Sequence, residues 1–208
     1  VATFVMGEFE EIVTWFQANW PLIQATIKVV LDAIAAERCT ALYGVPTMFI
    51  AELRHPEFAQ FDLSSLRTGV MAGAPCPIEV MKQVVSDMHC REMLIAYGLT
   101  ETAPVLTMSD LDDELERRVS TVGKALPCTE LKVVNVESRQ TTERGTQGEI
   151  CARGYMLMQG YDGESEATAS VIDGEGWFRT GDLGVMREDG YINITGRAKD
   201  MIIRGGEN

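Results

Sequence analysis

The sequence is poor in histidine: it has only His55 and His89, both in polar, turn-like contexts. A histidine-built metal centre, or a triad with histidine as its base, is therefore disfavoured. Cysteine is present but unpaired in pattern. Cys39, Cys76, Cys90, Cys128 and Cys151 are odd in number, widely spaced and without a C-x-x-C pair. Reduced, mostly buried thiols in a cytoplasmic compartment fit this better than a disulfide framework. No apolar run approaches the ~18 residues that a membrane span needs. The N-terminus shows neither a positive leader nor a small-residue cleavage site. Positive charge is scarce: 18 Lys and Arg face 31 Asp and Glu, for a net charge of -13. That balance argues against nucleic acid and against anionic membrane surfaces as partners. An anionic ligand would have to be held by local cations and backbone N–H groups, against the overall field. There is no internal repeat and no low-complexity segment.

The chain has 208 residues and 46% hydrophobic content, enough for one large domain or two small ones with a real core. Ala2–Met6 reads as a short strand. Phe9, Ile12, Val13, Phe16 and Trp20 then recur at helical spacing, with Glu8, Glu10 and Glu11 in the first turn. Pro21 is expected to interrupt that helix and to open a second one. The second carries an apolar stripe of Ile23, Ile27, Val30, Leu31 and Ile34. Trp15, Phe16 and Trp20 read either as core packing or as a partner-binding face. Strands at Ala41–Val45, Arg67–Met71 and Met93–Ala96 alternate with helices from Pro46 to about Arg54 and over about Pro77–Met88. This rhythm implies a parallel sheet covered by helices, with ligands at the carboxyl ends of its strands. Leu111–Arg118 reads as an exposed helix or loop. Beyond it, Leu131–Val136, Glu149–Arg153, Trp177–Thr180, Gly184–Met186 and Tyr191–Ile194 are short strands between glycine turns, the pattern of antiparallel β structure. The expected fold class is α/β, a parallel sheet flanked by helices and followed by a small antiparallel, barrel-like subdomain. The expected organisation is an α/β subdomain over 1–127, whose first 30 or so residues form an unusual helical segment. A β subdomain over 128–197 and a hinge over 198–208 follow.

Three segments carry candidate chemistry. Tyr97-Gly98-Leu99-Thr100-Glu101 follows a strand: Gly98 permits close approach, Tyr97 offers an aromatic face, Thr100 a hydroxyl for phosphate and Glu101 a carboxylate for Mg²⁺. Gly73-Ala74-Pro75 is a small-residue turn before a helix, a wall for the edge of a base or simply a turn. Thr180-Gly181-Asp182 presents a carboxylate that matches a ribose diol, and Arg197 a guanidinium for the same ribose or a phosphate. Read alone, the alternative for Asp182 and Arg197 is a surface ion pair.

Together with Tyr43-Gly44-Val45-Pro46-Thr47-Met48, Thr121-Val122-Gly123, Gly148-Glu149-Ile150, Trp177 to Asp182 and Gly196 to Asn208, these segments resemble the adenylate-forming acyl-CoA synthetases. That superfamily includes peptide-synthetase adenylation domains and firefly luciferase. The resemblance runs from about Leu31 to Asn208 and is nearest in wording to medium-chain fatty acyl-CoA ligases. It implies that a carboxylate attacks the α-phosphate of ATP to give acyl-AMP and pyrophosphate, and that CoA thiol then displaces AMP. It implies that Gly73, Ala74 and Pro75 line adenine, that Tyr97 stacks on it with Gly98 and Leu99 beside it, and that Thr100 contacts phosphate. Glu101 would hold Mg²⁺, Asp182 the ribose, and Arg197 ribose or phosphate, while Lys199 would lie at the hinge of a closing domain. Tyr43, Gly44, Met71, Ala72, Ala96 and Thr102 fall at the family's acyl pocket, without defining a chain length.

The 208 residues do not contain the Ser/Thr/Gly-rich phosphate loop or the catalytic lysine of the family's pattern, and about Phe9–Val30 departs from it. The expectation is a nucleotide- and acyl-adenylate-binding fragment, inactive by itself, whose partners are a fatty acid, an adenine nucleotide and a complementing N-terminal fragment. The alternative is an engineered or chimeric scaffold that keeps the fold without catalysis. The oligomeric state is open.

Overall fold

A computed structural model describes the backbone of residues 2–198 and the side chains of residues 18–198. The chain divides into two compact units, Val1–Gly69 with Glu79–Met93, and Val70–Ile78 with Leu94–Asn208.

The first unit opens with one helix, α1 (Ala2–Glu37). Two expectations are corrected here. Ala2–Met6 is helical rather than a strand, because so short a mostly apolar segment has no decisive periodicity of its own and joins the longer helix behind it. Glu8, Glu10 and Glu11 therefore lie past the first turn. Pro21 sits inside the helix instead of breaking it. A proline removes one N–H and crowds the carbonyl four residues back, a cost of about 3 kcal/mol. The apolar stripe that follows offsets that cost: Ile27, Leu31 and Ile34 are buried on one face. Trp20 is 48% exposed, which removes it from the core, while the Trp15 and Phe16 side chains lie outside the described residues.

A strand, β1 (Ala41–Gly44), leads into α2 (Pro46–Leu53), where Pro46 occupies the first turn and Val45 is the extended N-cap. Phe49 on α2 is 1% exposed, and burying such a side chain stabilises by roughly 1.5–3 kcal/mol. Next come β2 (Thr68–Ala72), α3 (Ile78–Ser86) and β3 (Glu92–Tyr97). Met81 and Val84 form the buried face of α3.

The strands β1, β2 and β3 continue through β4 (Thr107–Met108) and β5 (Lys124–Ala125) as one five-stranded sheet in that order. The connections through α2 and α3 are the strand–helix–strand crossovers of parallel pairing. β4 then pairs antiparallel with β3, and β5 with β4. Among the described residues no helix is long and apolar enough to cross a membrane.

In the second unit α4 (Leu115–Ser120) precedes β5, and a separate sheet follows: β6 (Thr129–Val134), β7 (Gln147–Gly154), β8 (Phe178–Met186) and β9 (Ile192–Arg197). These pair antiparallel in sequence order. A short helix, α5 (Ser165–Val171), connects β7 to β8. The fold is thus α/β, a parallel-containing sheet flanked by helices with a separate antiparallel sheet, as the sequence predicts. Val133, Ile150 and Ile192 pack together under the second sheet, and Leu106, Ala152 and Met156 form a neighbouring cluster. The segments Trp177–Thr180 and Gly184–Met186, expected as two strands, fall on the single strand β8, which starts one residue later at Phe178. The glycine between them makes an irregularity within β8 and does not end it. Leu111–Arg118, expected to be exposed, carries two buried side chains, Asp113 and Arg118, with the Arg118 guanidinium donating to the carbonyls of Asp113 and Leu111.

Candidate functional site

A cavity of about 390 Å³ lies within the second unit, in the size range of small-molecule sites. Four stretches of backbone wall it: Gly73–Cys76 after β2, Ile95–Gly98 at the end of β3, Val119–Val122 at the end of α4, and the adjacent parts of β8 and β9. Of the residues expected at the site, Gly73, Ala74, Pro75, Tyr97, Gly98, Asp182 and Arg197 line this cavity. Among its lining residues Arg197 is the one cation and Asp182 the one anion.

The register of the second sheet places Asp182 directly opposite Arg197. Arg197 Nε is 3.0 Å from Asp182 Oδ1, and the Tyr97 hydroxyl donates to Asp182 Oδ2 at 2.8 Å. Asp182 is 5% exposed, whereas most of the Arg197 side chain is open to solvent. The ion pair is therefore neither a loose surface contact nor a closed core pair. Burial, and then the Asp182 carboxylate, hold the Tyr97 phenol above its ordinary range, opposed by the Thr180 hydroxyl. Tyr97 thus remains a donor at any ordinary pH. A carboxylate has about four lone-pair positions, so Asp182 can accept from a diol while keeping Tyr97 and Arg197.

Gly98 lines the cavity and also meets a steric demand of the chain itself. A Cβ there would meet the Pro104 carbonyl oxygen at 2.0 Å. The close approach that requires glycine is made by the chain itself. Leu99, Thr100 and Glu101 do not line the cavity. Thr100–Thr102 form a single 3-10 turn just beyond it, in which the Leu99 N–H donates to Thr102 Oγ1 at 2.9 Å. The Thr102 hydroxyl is wholly buried and engaged in that turn. Glu101 accepts a hydrogen bond from the Tyr161 hydroxyl at 2.9 Å, and this bond raises the Tyr161 phenol above its usual range. Lys199 lies outside the described residues.

Among the described residues no group of three or more His, Cys, Asp or Glu side chains forms a metal cluster. Glu101 is a single carboxylate at a loop, which suits Mg²⁺, an ion that takes one or two carboxylates and completes its shell with phosphates and water. All five cysteines are free. Burial pushes the Cys90 thiol up to about 12 and Cys151 to about 11, so neither is a nucleophile.

Sequence reasoning gave no site role to Cys76, Ile95, Ile194 or the Val119–Val122 wall, although Thr121 and Val122 belong to a motif of the resemblance. Ile194 follows Ile192 by two on β9, an alternation visible in the sequence. The Val119–Val122 wall is set by contacts remote in sequence: the Val122 N–H donates to the Ile192 carbonyl at 2.8 Å and the Thr107 hydroxyl donates to the Val122 carbonyl at 2.5 Å.

Known proteins share this arrangement of elements. The chain is 56% identical over 179 residues to the putative acyl-CoA synthetase YngI of Bacillus subtilis, a match that covers 86% of the chain and 33% of that protein. It is 45% identical over 181 residues to the medium-chain acyl-CoA ligase ACSF2, mitochondrial, of Bos taurus, covering 87% of the chain and 29% of that protein. The anthranilate CoA ligase AuaEII, solved in complex with anthranoyl-AMP, superposes with a TM-score of 0.78 at 28% identity, over 88% of this chain and 34% of that one. The chain thus spans about a third of the length of the curated relatives it matches. Residues 15–162 match the family model of the AMP-binding enzymes, and the chain belongs to that family.

Proposed function

We propose that the cavity of the second unit is the adenine-nucleotide and acyl-adenylate site of an AMP-forming fatty acyl-CoA ligase. In that reaction an acid carboxylate oxygen attacks the α-phosphorus of ATP and pyrophosphate leaves. The CoA sulfur then attacks the acyl carbonyl and AMP leaves. No side chain needs to act as nucleophile, because positioning and charge neutralisation lower the barrier. The small side chains of Gly73, Ala74 and Pro75 accept the flat adenine edge, and Tyr97 presents its ring. Asp182 accepts from the ribose diol, and Arg197 reaches ribose or phosphate. Thr100 contacts phosphate, and Glu101 would hold the Mg²⁺ that neutralises the polyphosphate. Lys199 belongs to the hinge of this reading. The medium-chain acyl class is that named for a curated relative, and five free thiols suit a reducing, cytoplasm-like compartment.

The observation that carries the reading is Asp182, nearly buried at the cavity wall, with Tyr97 and Arg197 on its two oxygens. Calorimetric titration of the 208-residue chain with AMP tests it. Saturable binding that Asp182→Ala weakens at least about tenfold supports the reading, as expected for loss of charged hydrogen bonds. A fold kept as a scaffold would give no saturable binding. We further propose that the 208 residues alone do not complete adenylation, and that a relative's N-terminal fragment together with its lysine-bearing C-terminal domain restores pyrophosphate release on mixing. Pyrophosphate release from the purified chain by itself would refute this.

A further inference from the structure

The motif Gly148-Glu149-Ile150 has no part in the scheme above, yet Glu149 is 2% exposed. Its carboxylate is not idle. Oε2 accepts from Arg139 Nη1 at 2.7 Å and from Arg179 Nε at 3.1 Å. Oε1 accepts the backbone N–H of Gly181 at 3.2 Å. That N–H sits where the pairing of β7 with β8 is irregular. Glu149 opposes Leu183 and Cys151 opposes Arg179, so Ile150 alone faces Thr180, Gly181 and Asp182. The surplus residues bulge, and Gly181 takes φ 73° to make the turn, a conformation in which glycine carries no Cβ penalty. Three bonds hold the bulge: the Thr180 hydroxyl donates to the Ile150 carbonyl at 2.9 Å, the Asp182 N–H donates to Thr180 Oγ1 at 3.1 Å, and Gly181 donates to Glu149. The next side chain after Gly181 is Asp182.

We infer that Glu149 is a positioning residue: its buried carboxylate, fixed by two arginines, captures the Gly181 N–H and so aims Asp182 into the cavity. This rests on the nucleotide reading of the cavity given above. Only a carboxylate can do it, since it accepts on both oxygens at once. A glutamine would turn its carbonyl toward the two guanidinium groups and set its NH₂ against the Gly181 N–H, which then has no acceptor.

The test measures recognition of the diol rather than overall stability. AMP and 2′,3′-dideoxy-AMP are titrated into the 208-residue chain, into Glu149→Gln and into Asp182→Ala, each checked for folding by circular dichroism. The unsubstituted chain binds AMP at least about tenfold more tightly than the dideoxy form. Asp182→Ala brings that ratio to about one. Glu149→Gln lowers it to about two, and adding Glu149→Gln to Asp182→Ala leaves the ratio at about one, because the two residues act in series. A loss of global stability would weaken both ligands alike and leave the ratio unchanged. If Glu149→Gln fails to fold, Glu149→Asp, which keeps the charge but withdraws the acceptor by one methylene, is read by the same ratio and the same expectation. A glutamate variant with the unsubstituted ratio overturns the inference while Asp182→Ala still upholds the nucleotide reading. No discrimination by the unsubstituted chain overturns both.

Discussion

Two buried glutamates, one in each unit, have opposite surroundings. Glu52 on α2 is 1% exposed, and neither carboxylate oxygen has a hydrogen-bond partner among the described residues. Glu149 on β7 is 2% exposed and accepts from two guanidinium groups and a backbone N–H. Desolvation alone acts on Glu52 and pushes its carboxyl up to about 7. Burial therefore says nothing about whether a carboxylate serves a structure; its donors do. A buried acid without donors is tolerated as the neutral form, whereas one with three donors organises what surrounds it.

The largest effect expected from this contrast is a pH dependence. Glu52 has a folded value of about 7 against an ordinary 4.5. The folded chain therefore holds a proton that the unfolded chain has released, and the stability contributed by the neutral acid falls as pH rises from about 4.5 to about 7. At 1.36 kcal/mol per unit the loss is about 3 kcal/mol. The neighbouring Cys90 thiol stays protonated throughout, since its own value is about 12. Urea unfolding at pH 5 and pH 8 measures the difference, and Glu52→Gln is expected to abolish it while leaving stability at pH 5 nearly unchanged. A slope that survives the substitution would show that Glu52 is not its source.

Removing the Glu149 carboxylate, unlike replacing that of Glu52, is expected to cost stability outright. Glu149→Ala leaves the Gly181 N–H without an acceptor and separates two cations from their counter-charge. Arg139 and Arg179 are about half exposed and can turn to water, so the cost is less than for a fully enclosed pair, about 2 kcal/mol. Chemical denaturation at a single neutral pH measures it. If Glu149→Ala proves as neutral as Glu52→Gln at pH 5, the contrast between the two glutamates fails. Tyr97→Phe comes next in size. It keeps the ring and deletes the hydroxyl that donates to Asp182, at a cost of about 1.5 kcal/mol in the same assay.

The difference between the units also bears on what the sequence could reveal. The α/β rhythm was legible because Pro46 marks a helix start and because the strands are short apolar runs between turns. Asp182 and Arg197 were legible as chemistry, since a carboxylate and a guanidinium near glycine turns suit a diol and a phosphate. Their facing register, which decides between clamp and stray pair, comes only from the sheet. Glu149 was not legible as a positioning group. It lies 32 residues from Gly181, and in a strand a glutamate ordinarily reads as solvent-facing. The bulge was equally hidden, because Trp177–Thr180 and Gly184–Met186 look like two strands when Gly181 is taken as a turn. Pro21 misled for a related reason: a local rule for ending a helix was overridden by apolar packing further along it.

The smallest effect tests the bulge at its turning point. Gly181 has φ 73°, and a Cβ there would meet nothing within 4 Å. Gly181→Ala therefore adds no clash, and its whole cost is the left-handed conformation, about 1 kcal/mol. At Gly98 the same substitution would drive Cβ into the Pro104 carbonyl oxygen, so the two glycines separate backbone strain from steric exclusion. If Gly181→Ala is made in the Glu149→Ala background, its cost should shrink, because a bulge released from its acceptor can relax toward negative φ. A full cost in both backgrounds, measured by the same denaturation, would mean that Glu149 does not hold the bulge in place.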